Sequence, residues 1–146
     1  MQLRYPWGIL GLFVLQAVAR GHGALRQLPS HAGVVIWAGA CLLLAFLLWQ
    51  SRDLPGVGLV AGGVAANVLV VLANGAMPVH IETGLTVSTG FYAPLGGADL
   101  LQWMADILPV PGGYLASLGD MLMIVGIAVL VGASSIPRET RRLSQN

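Results

Sequence analysis

Polar side chains interrupt the long apolar runs of this chain at few positions, and these are the first candidates for chemistry. Asn67 and Asn74 lie in one apolar run, seven residues apart and therefore on one face of a helix. Other candidates stand at or just beyond the ends of apolar runs. The full set is Asn67, Asn74, Asp120, Arg20, His80 and Glu82. Because polar groups in a bilayer are costly unless paired, each of these needs a partner or a function.

Two interpretations of Asn67 and Asn74 stay open. In the first, the amides form hydrogen bonds between helices and fix their packing, each worth about 0.6 kcal/mol. In the second, the two amides line a polar pocket that opens to the outer side of the membrane.

Asp120 also has two interpretations. Ser117 and Asp120 form an S-x-x-D pattern directly before an apolar run, which is typical of a capping box at a helix N-terminus. In the alternative, Asp120 pairs with Arg20 or serves as a proton or cation site.

The composition shows what kind of protein must position these residues. Of 146 residues, 56% are hydrophobic and 9% are charged, and the mean hydropathy is +0.80. Soluble domains carry about 25% charged residues, so this chain is predicted to be an all-α integral membrane protein with a single domain, 1–146. A net charge of +1 gives no basic surface for nucleic acid. The one cysteine, Cys41, cannot form a disulfide within the chain and is predicted to be a buried or lipid-facing apolar residue.

Four apolar runs predict a four-helix transmembrane bundle with spans at about 7–19, 32–49, 55–73 and 118–136. The first run is the shortest. It also fits a signal peptide, because Ala17-Val18-Ala19 has the A-x-A cleavage pattern. We favour a retained helix, since a short polar loop and not a secreted domain follows it.

The arginines predict the orientation. Residues 74–117 contain no Lys or Arg and are therefore predicted to form the outer loop. Both termini then lie in the cytoplasm, with five arginines inside and Arg20 and Arg26 outside. Four antiparallel helices in this orientation bring the polar candidates to one level, as an outer-leaflet polar cluster.

The outer loop contains a second helical pattern. In residues 98–108, Leu100 and Met104 fall on one helical face, whereas Asp99, Gln102 and Asp106 fall on the other. This predicts a short amphipathic helix that lies flat at the outer interface, with Trp103 at the level of the headgroups.

Small residues recur at four-residue spacing on the third span, at Gly58, Gly62 and Ala66. Such a stripe permits close approach of helices, either within the chain or against another protein. We predict it to be a helix-packing face.

Two segments resemble a known family. They are NVLVVLANGAMPV at 67–79 and ADILPVPGGYLASLGDMLMIVG at 105–126, and Ala19-Arg20-Gly21-His22-Gly23 accompanies them. Together they resemble a bacterial family of small multi-pass membrane proteins, domain of unknown function 5317. Members often have Gly-Gly where this chain has Gly75-Ala76. The resemblance implies a multi-pass membrane fold and brings no catalytic residues.

No catalytic or metal-binding motif accompanies these residues: G-x-S-x-G, Walker A and H-E-x-x-H are all absent, and the three histidines lie at or beyond span ends. We therefore predict a non-enzymatic subunit or scaffold of a larger assembly in the bacterial plasma membrane, with no cofactor and with lipid and other membrane subunits as partners. The alternative is a small transporter or lipid-binding protein that uses the outer-leaflet polar cluster. A lipid-modifying enzyme at the outer interface stays a third hypothesis.

Overall fold

The computed structural model describes residues 3–21, 30–81 and 91–135. In residues 16–21 and 30–31 it describes the backbone alone. The described chain is mostly helical. Its four α-helices are α1 (Pro6–Gly21), α2 (Ser30–Trp49), α3 (Val57–Asn74) and α4 (Leu118–Ser135). By length and composition, α2, α3 and α4 could each cross a membrane. Their described bounds lie within two residues of the predicted spans.

α1 is shorter than the other helices. Its 16 residues, at about 1.5 Å per residue, extend about 24 Å, whereas the hydrocarbon core of a bilayer is about 30 Å thick. A fourth span, and with it the four-helix transmembrane bundle, therefore stays a prediction. The orientation with both termini in the cytoplasm stays a prediction as well.

α3 is the central helix. It packs against both α2 and α4, while α1 packs on α2. Val64 and Val68 of α3 share one buried cluster with Trp37, Cys41 and Leu44 of α2. Half of the α3 span is buried inside the protein, compared with 11% of the α4 span. The buried cluster thus lies mainly between α2 and α3, and α4 presents most of its apolar surface outward.

Glycine backbones allow α3 and α4 to approach closely. A Cβ atom at Gly126 of α4 would lie 2.6 Å from the carbonyl oxygen of Gly56 and 2.9 Å from the backbone nitrogen of Val60. A Cβ atom at Gly63 of α3 would overlap the carbonyl oxygen of Gly119. Backbone therefore packs on backbone along this interface, as in other glycine-lined membrane contacts.

One end of the helices carries Arg4 and Arg52, the two arginines whose side chains the structure describes. The backbone N–H of Arg4 donates to Ser51 Oγ at 3.1 Å, and the Arg4 guanidinium lies 3.9 Å from the Asp53 carboxylate. Arg52 stacks over Trp49 with 5.1 Å between the guanidinium carbon and the ring centroid. The start of the chain and the turn after α2 thus lie together, at what is here called the arginine end.

The opposite end, called the loop side, carries four short strands within the described ranges. They are β1 (Met77–Val79), β2 (Tyr92–Pro94), β3 (Leu108–Val110) and β4 (Tyr114–Ala116). β1 pairs in parallel with β2, and β3 pairs in an antiparallel hairpin with β4. Gly75, with φ of 75°, ends α3 in the left-handed conformation and turns the chain into β1.

The predicted amphipathic helix over 98–108 is wrong. This segment forms a single 3₁₀ turn at Gln102–Met104 and then extends into β3. Leu101 before the turn has a positive φ of 56°, and Ala105 after it is extended, so an α-helix cannot run through. The backbone of Asp106 is bonded to the β1 region instead, and Pro109 lacks the N–H that a helix would need.

Asn74 attaches the loop to the end of α3. Its Nδ2 donates to the carbonyls of Val70 and Leu100, both at 2.9 Å, and its Oδ1 accepts from the Leu100 N–H at 2.8 Å. Asn74 therefore bridges its own helix and the loop and is not a partner of Asn67.

Replacement of Asn74 by alanine is expected to release residues 95–101 while the helices stay folded. Because the side chain makes two bonds to Leu100, hydrogen exchange at the Leu100 amide is expected to accelerate, and the free energy of unfolding to fall by about 1 kcal/mol. Hydrogen exchange in detergent measures this. Ser134→Ala, which removes one exposed bond at the other end of α4, is the control. Unchanged exchange at Leu100 would contradict the bridge.

Candidate functional site

A hydrogen-bonded network joins α3 to the start of α4 on the loop side. Asn67 Nδ2 donates to Asp120 Oδ1 at 2.9 Å, and the Ser117 hydroxyl donates to Asn67 Oδ1 at 2.7 Å. Asn67 is 8% exposed and Ser117 is fully buried. Both polar atoms of the Asn67 amide are thus hydrogen-bonded, to residues that lie 50 and 53 positions later in the chain. This is the interhelical role that the first interpretation of Asn67 predicted.

The predicted capping box is confirmed within the same network. The Asp120 N–H donates to Ser117 Oγ, and the Ser117 N–H donates to Asp120 Oδ2, both at 3.0 Å. Two otherwise unpaired amides at the start of α4 are thereby satisfied, and the carboxylate lies where the helix dipole favours a negative charge. Asp120 therefore serves as a helix cap and as the acceptor for Asn67 at the same time.

Glycine makes this arrangement possible. A Cβ atom at Gly119 would overlap the Asn67 side-chain oxygen and would lie 2.6 Å from the Gly63 carbonyl. Only a residue without a side chain lets α4 begin so close to α3. The network and the close helix packing therefore depend on the same contact.

A cavity of about 30 Å³ opens beside the network. A space of about 10–15 Å³ holds one water molecule, so this cavity suits a group of two or three heavy atoms. Its lining comes from all three long helices and from the loop side: Trp37, Asn67, Val71, Met77, Phe91, Tyr92, Asp106 and Asp120. It therefore combines two carboxylates and an amide with three aromatic rings.

Asp106 is the lining residue that the sequence reasoning misplaced. It was predicted on the solvated face of an amphipathic helix, yet it is 8% exposed. Its backbone N–H donates to the Pro78 carbonyl, and its carbonyl accepts from the His80 N–H, both at 3.0 Å. The D-I-L-P and M-P-V segments, noted separately in the sequence, thus lie side by side, and this pairing places the Asp106 carboxylate at the cavity.

The sequence patterns did not predict the aromatic lining of the cavity either. Trp37 is 4% exposed, and its ring centroid lies 6.0 Å from that of Phe91 with an angle of 53° between the rings. Tyr92, the residue after Phe91, begins β2. Trp37 is one apolar residue among many in α2, so no spacing in the sequence distinguishes it as a lining residue.

The predicted outer-leaflet polar cluster divides into separate parts. Asn67 and Asp120 are bonded to each other, whereas Asn74 holds Leu100 and does not line the cavity. The side chain of His80 is exposed, and its backbone bonds to Asp106. The Arg20 side chain and all of Glu82 lie outside the described residues, so their place in the cluster stays a prediction.

The stripe of small residues does not form the α3–α4 contact. At Gly62 an added Cβ would meet no atom within 4 Å, and at Gly58 it would meet only the Arg52 Cβ, at 3.9 Å. Ala66 is partly buried against the core cluster. Gly63, next to Gly62 and four residues before Asn67, makes the close approach instead. A role of the Gly58 and Gly62 face against another protein stays a prediction.

Among the described ranges 3–21, 30–81 and 91–135, no three His, Cys, Asp or Glu side chains lie close enough together to hold a metal ion. Within that part of the chain, the polar lining of the cavity consists of two carboxylates and one amide, together with the Tyr92 and Trp37 rings. This arrangement can bind a small polar or cationic group.

The described residues define the class, which is that of a mostly helical protein whose apolar helices are, by length and composition, those of a membrane protein. The particular family follows from comparison with known families. The model of a family of unknown function, DUF5317, matches residues 1–132, and the chain belongs to this family. No curated protein and no solved structure matches the chain.

Proposed function

We propose that this chain is a small multi-pass protein of the bacterial inner membrane that binds a small ligand in the cavity on the loop side, as a small transporter or lipid-binding protein does. The observation that carries the proposal is the convergence of Asn67, Asp106 and Asp120 on one cavity beside aromatic rings. Small-ligand sites combine apolar walls with a few polar groups in this way.

The positions of Arg4 and Arg52, the arginines with described side chains, support an outward-facing cavity. Arg4 and Arg52 lie together at the arginine end, opposite the cavity. Cytoplasmic segments of membrane proteins carry an excess of Arg and Lys, so the arginine end fits the cytoplasmic side. The loop side then faces outward, and the cavity lies near the outer headgroups.

Native mass spectrometry of the protein extracted from its own membranes tests the binding function. Val71 is 3% exposed and lines the cavity, so Val71→Phe is expected to fill it. We expect a small bound species in the wild type and a loss of at least about tenfold in its occupancy in Val71→Phe, which corresponds to about 1.4 kcal/mol.

Val125→Phe is the matched control, because it adds the same bulk to an exposed position of α4. This control is expected to retain the bound species. Equal occupancy in the wild type and in both variants would contradict binding in the cavity.

The outward surface of α4 favours a second candidate, a subunit of a larger membrane assembly. Only Gly119 and Gly126 of this helix are buried, although all 18 residues are described. In an assembly, another apolar helix covers such a surface, while in a lone protein lipid covers it. The same native spectra distinguish the two, because a stoichiometric second protein chain in the wild type supports the subunit.

A further inference from the structure

Large apolar side chains are exposed on the loop side. Within the described residues they are Leu100, Trp103, Leu108 and Tyr114, here called the loop-side patch. Trp103 is 64% exposed and Tyr114 is 73% exposed. We propose that the loop-side patch docks on lipid, with these two rings among the headgroups of the leaflet nearest the loop side. The inference rests on the membrane placement in the proposed function and not on ligand binding in the cavity.

Polar side chains next to the patch bond to the backbone of the loop itself. Asp99 Oδ2 accepts from the Gly96 N–H at 2.7 Å. Gln102 Nε2 donates to the carbonyls of Gly96 and Gly97, both at 3.1 Å. These polar groups thus have partners within the loop, while the large apolar side chains beside them are exposed. An exposed apolar surface of this kind marks a contact with a membrane or with another protein.

The positions of the tryptophans and tyrosines favour lipid over another protein. Of the four tryptophans and three tyrosines in the chain, Trp37 and Tyr92 line the cavity. The other five are each more than half exposed and lie at the two ends of the helices: Tyr5, Trp7 and Trp49 at the arginine end, and Trp103 and Tyr114 on the loop side. A bilayer has two interfaces, and both are enriched in these residues because each ring joins an apolar body to a polar tip. A protein bound to the loop side would not explain the same residues at the arginine end.

The exposed phenylalanines, which lack a polar tip, lie elsewhere. Phe13 is in α1 and Phe46 is in α2, so both lie within helices. The 18 residues of α3, and equally those of α4, extend about 27 Å at about 1.5 Å per residue. This length is close to the hydrocarbon thickness of about 30 Å. The two groups of tryptophan and tyrosine rings therefore lie at the ends of helices that match the apolar layer.

The loop-side patch lies on the ends of the helices and not far above them. Tyr114 begins β4, and Leu118 begins α4 four residues later. Asn74 ties Leu100 to the end of α3, and the 3₁₀ turn that contains Trp103 packs against both α3 and α4. The patch thus continues the outward apolar surface of α4 to the level of the headgroups. A place for Trp103 among the headgroups therefore does not require an amphipathic helix.

Quenching of Trp103 fluorescence tests the proposal. The full chain with Trp7→Phe, Trp37→Phe and Trp49→Phe retains Trp103 as its one tryptophan. In phosphatidylcholine vesicles, lipids brominated near the headgroup end of the acyl chain are expected to quench this ring strongly. Lipids brominated near the methyl end are expected to quench it much less, because a ring at the interface lies shallow. Aqueous acrylamide is expected to quench it less than it quenches free tryptophan in the same suspension.

A chain that retains Trp49 alone is the matched control, because Trp49 is 51% exposed at the arginine end. It is expected to show the same shallow quenching. If lipid quenches Trp49 while acrylamide alone quenches Trp103, the docking on lipid is overturned and the membrane placement stands. Protection of Trp103 from both quenchers would overturn the docking as well, in favour of a protein cover. If lipid quenches neither ring, the membrane placement itself fails.

A spin label provides a second measurement that keeps every tryptophan in place. A nitroxide on Leu100→Cys, in a chain with Cys41→Ala, is expected to collide more with oxygen than with a water-soluble nickel chelate. The same label on Asp53→Cys, where the native side chain is 81% exposed at the arginine end, is expected to show the reverse. Adding Trp103→Gln and Tyr114→Gln is expected to shift the label at residue 100 toward the nickel chelate. Unchanged collisions, in variants with an unchanged thermal midpoint, would show that the rings do not hold the loop on lipid.

Discussion

Replacement of Gly126 by alanine is expected to lower the free energy of unfolding by about 3 kcal/mol, at the upper end of overpacking effects. The new methyl group would lie 2.6 Å from the Gly56 carbonyl oxygen and 2.9 Å from the Val60 nitrogen. Both atoms belong to backbone, which cannot rotate away as the end of a side chain can. α4 must therefore move off α3, and the network at Asn67 is expected to loosen with it.

Gly132→Ala is the matched control on the same helix, because its added methyl group would meet no atom within 4 Å. Since alanine favours a helix over glycine by up to about 1 kcal/mol, this variant is expected to be neutral or slightly more stable. Denaturation of both variants with SDS in mixed micelles, followed by circular dichroism, measures the difference. Equal stabilities would show that α3 and α4 do not approach as closely as described.

The second large effect is expected for Asp120→Ala, which removes the acceptor for Asn67 and half of the capping box. An unpaired buried polar group costs about 1–3 kcal/mol, and loss of a cap about 1 kcal/mol. We therefore expect the free energy of unfolding to fall by about 3 kcal/mol. Asp53→Ala, at a carboxylate that is 81% exposed, is expected to change it by less than about 0.5 kcal/mol.

A double-mutant cycle with Asn67→Leu tests whether Asp120 acts through the network. Once Asp120 is gone, the Asn67 amide has lost a partner, so its replacement by an apolar side chain is expected to cost much less than in the wild type. Residues in one hydrogen-bond network couple by about 0.5–3 kcal/mol, and we expect at least about 1 kcal/mol here. Strictly additive effects would mean that the two side chains contribute independently.

The sequence predicted the helices of this protein well, because the signals for them are local. Apolar runs of about 20 residues predict helices, and their ends lay close to where the structure places them. The pattern of Ser117 and Asp120 likewise predicted the cap of α4, since both residues lie within one helical turn. Local periodicity misled in residues 98–108. There the segment closes a single 3₁₀ turn, in which the Met104 N–H donates to the Leu101 carbonyl, while the backbones of Asp106 and Leu100 bond to β1 and to Asn74.

The cavity depends on contacts between residues that are distant in the chain. Trp37 and Asp106 reach it from opposite halves of the sequence, and neither stands in a motif that predicts a binding role. The rotation of α3 about its axis also decides whether Gly62 or its neighbour Gly63 faces α4. Four-residue spacing alone does not settle this.

By itself, the sequence determined an apolar, mostly helical protein and the residues at which polar side chains interrupt its helices. Hydrophobicity and helix capping act over a few turns, so they can be read from neighbouring residues. The tertiary structure decided that Asn67 pairs with Asp120, that Asn74 binds the loop, and that Asp106 is buried beside aromatic rings. These outcomes depend on how closely the backbones of α3 and α4 approach, and packing over the whole chain sets that distance.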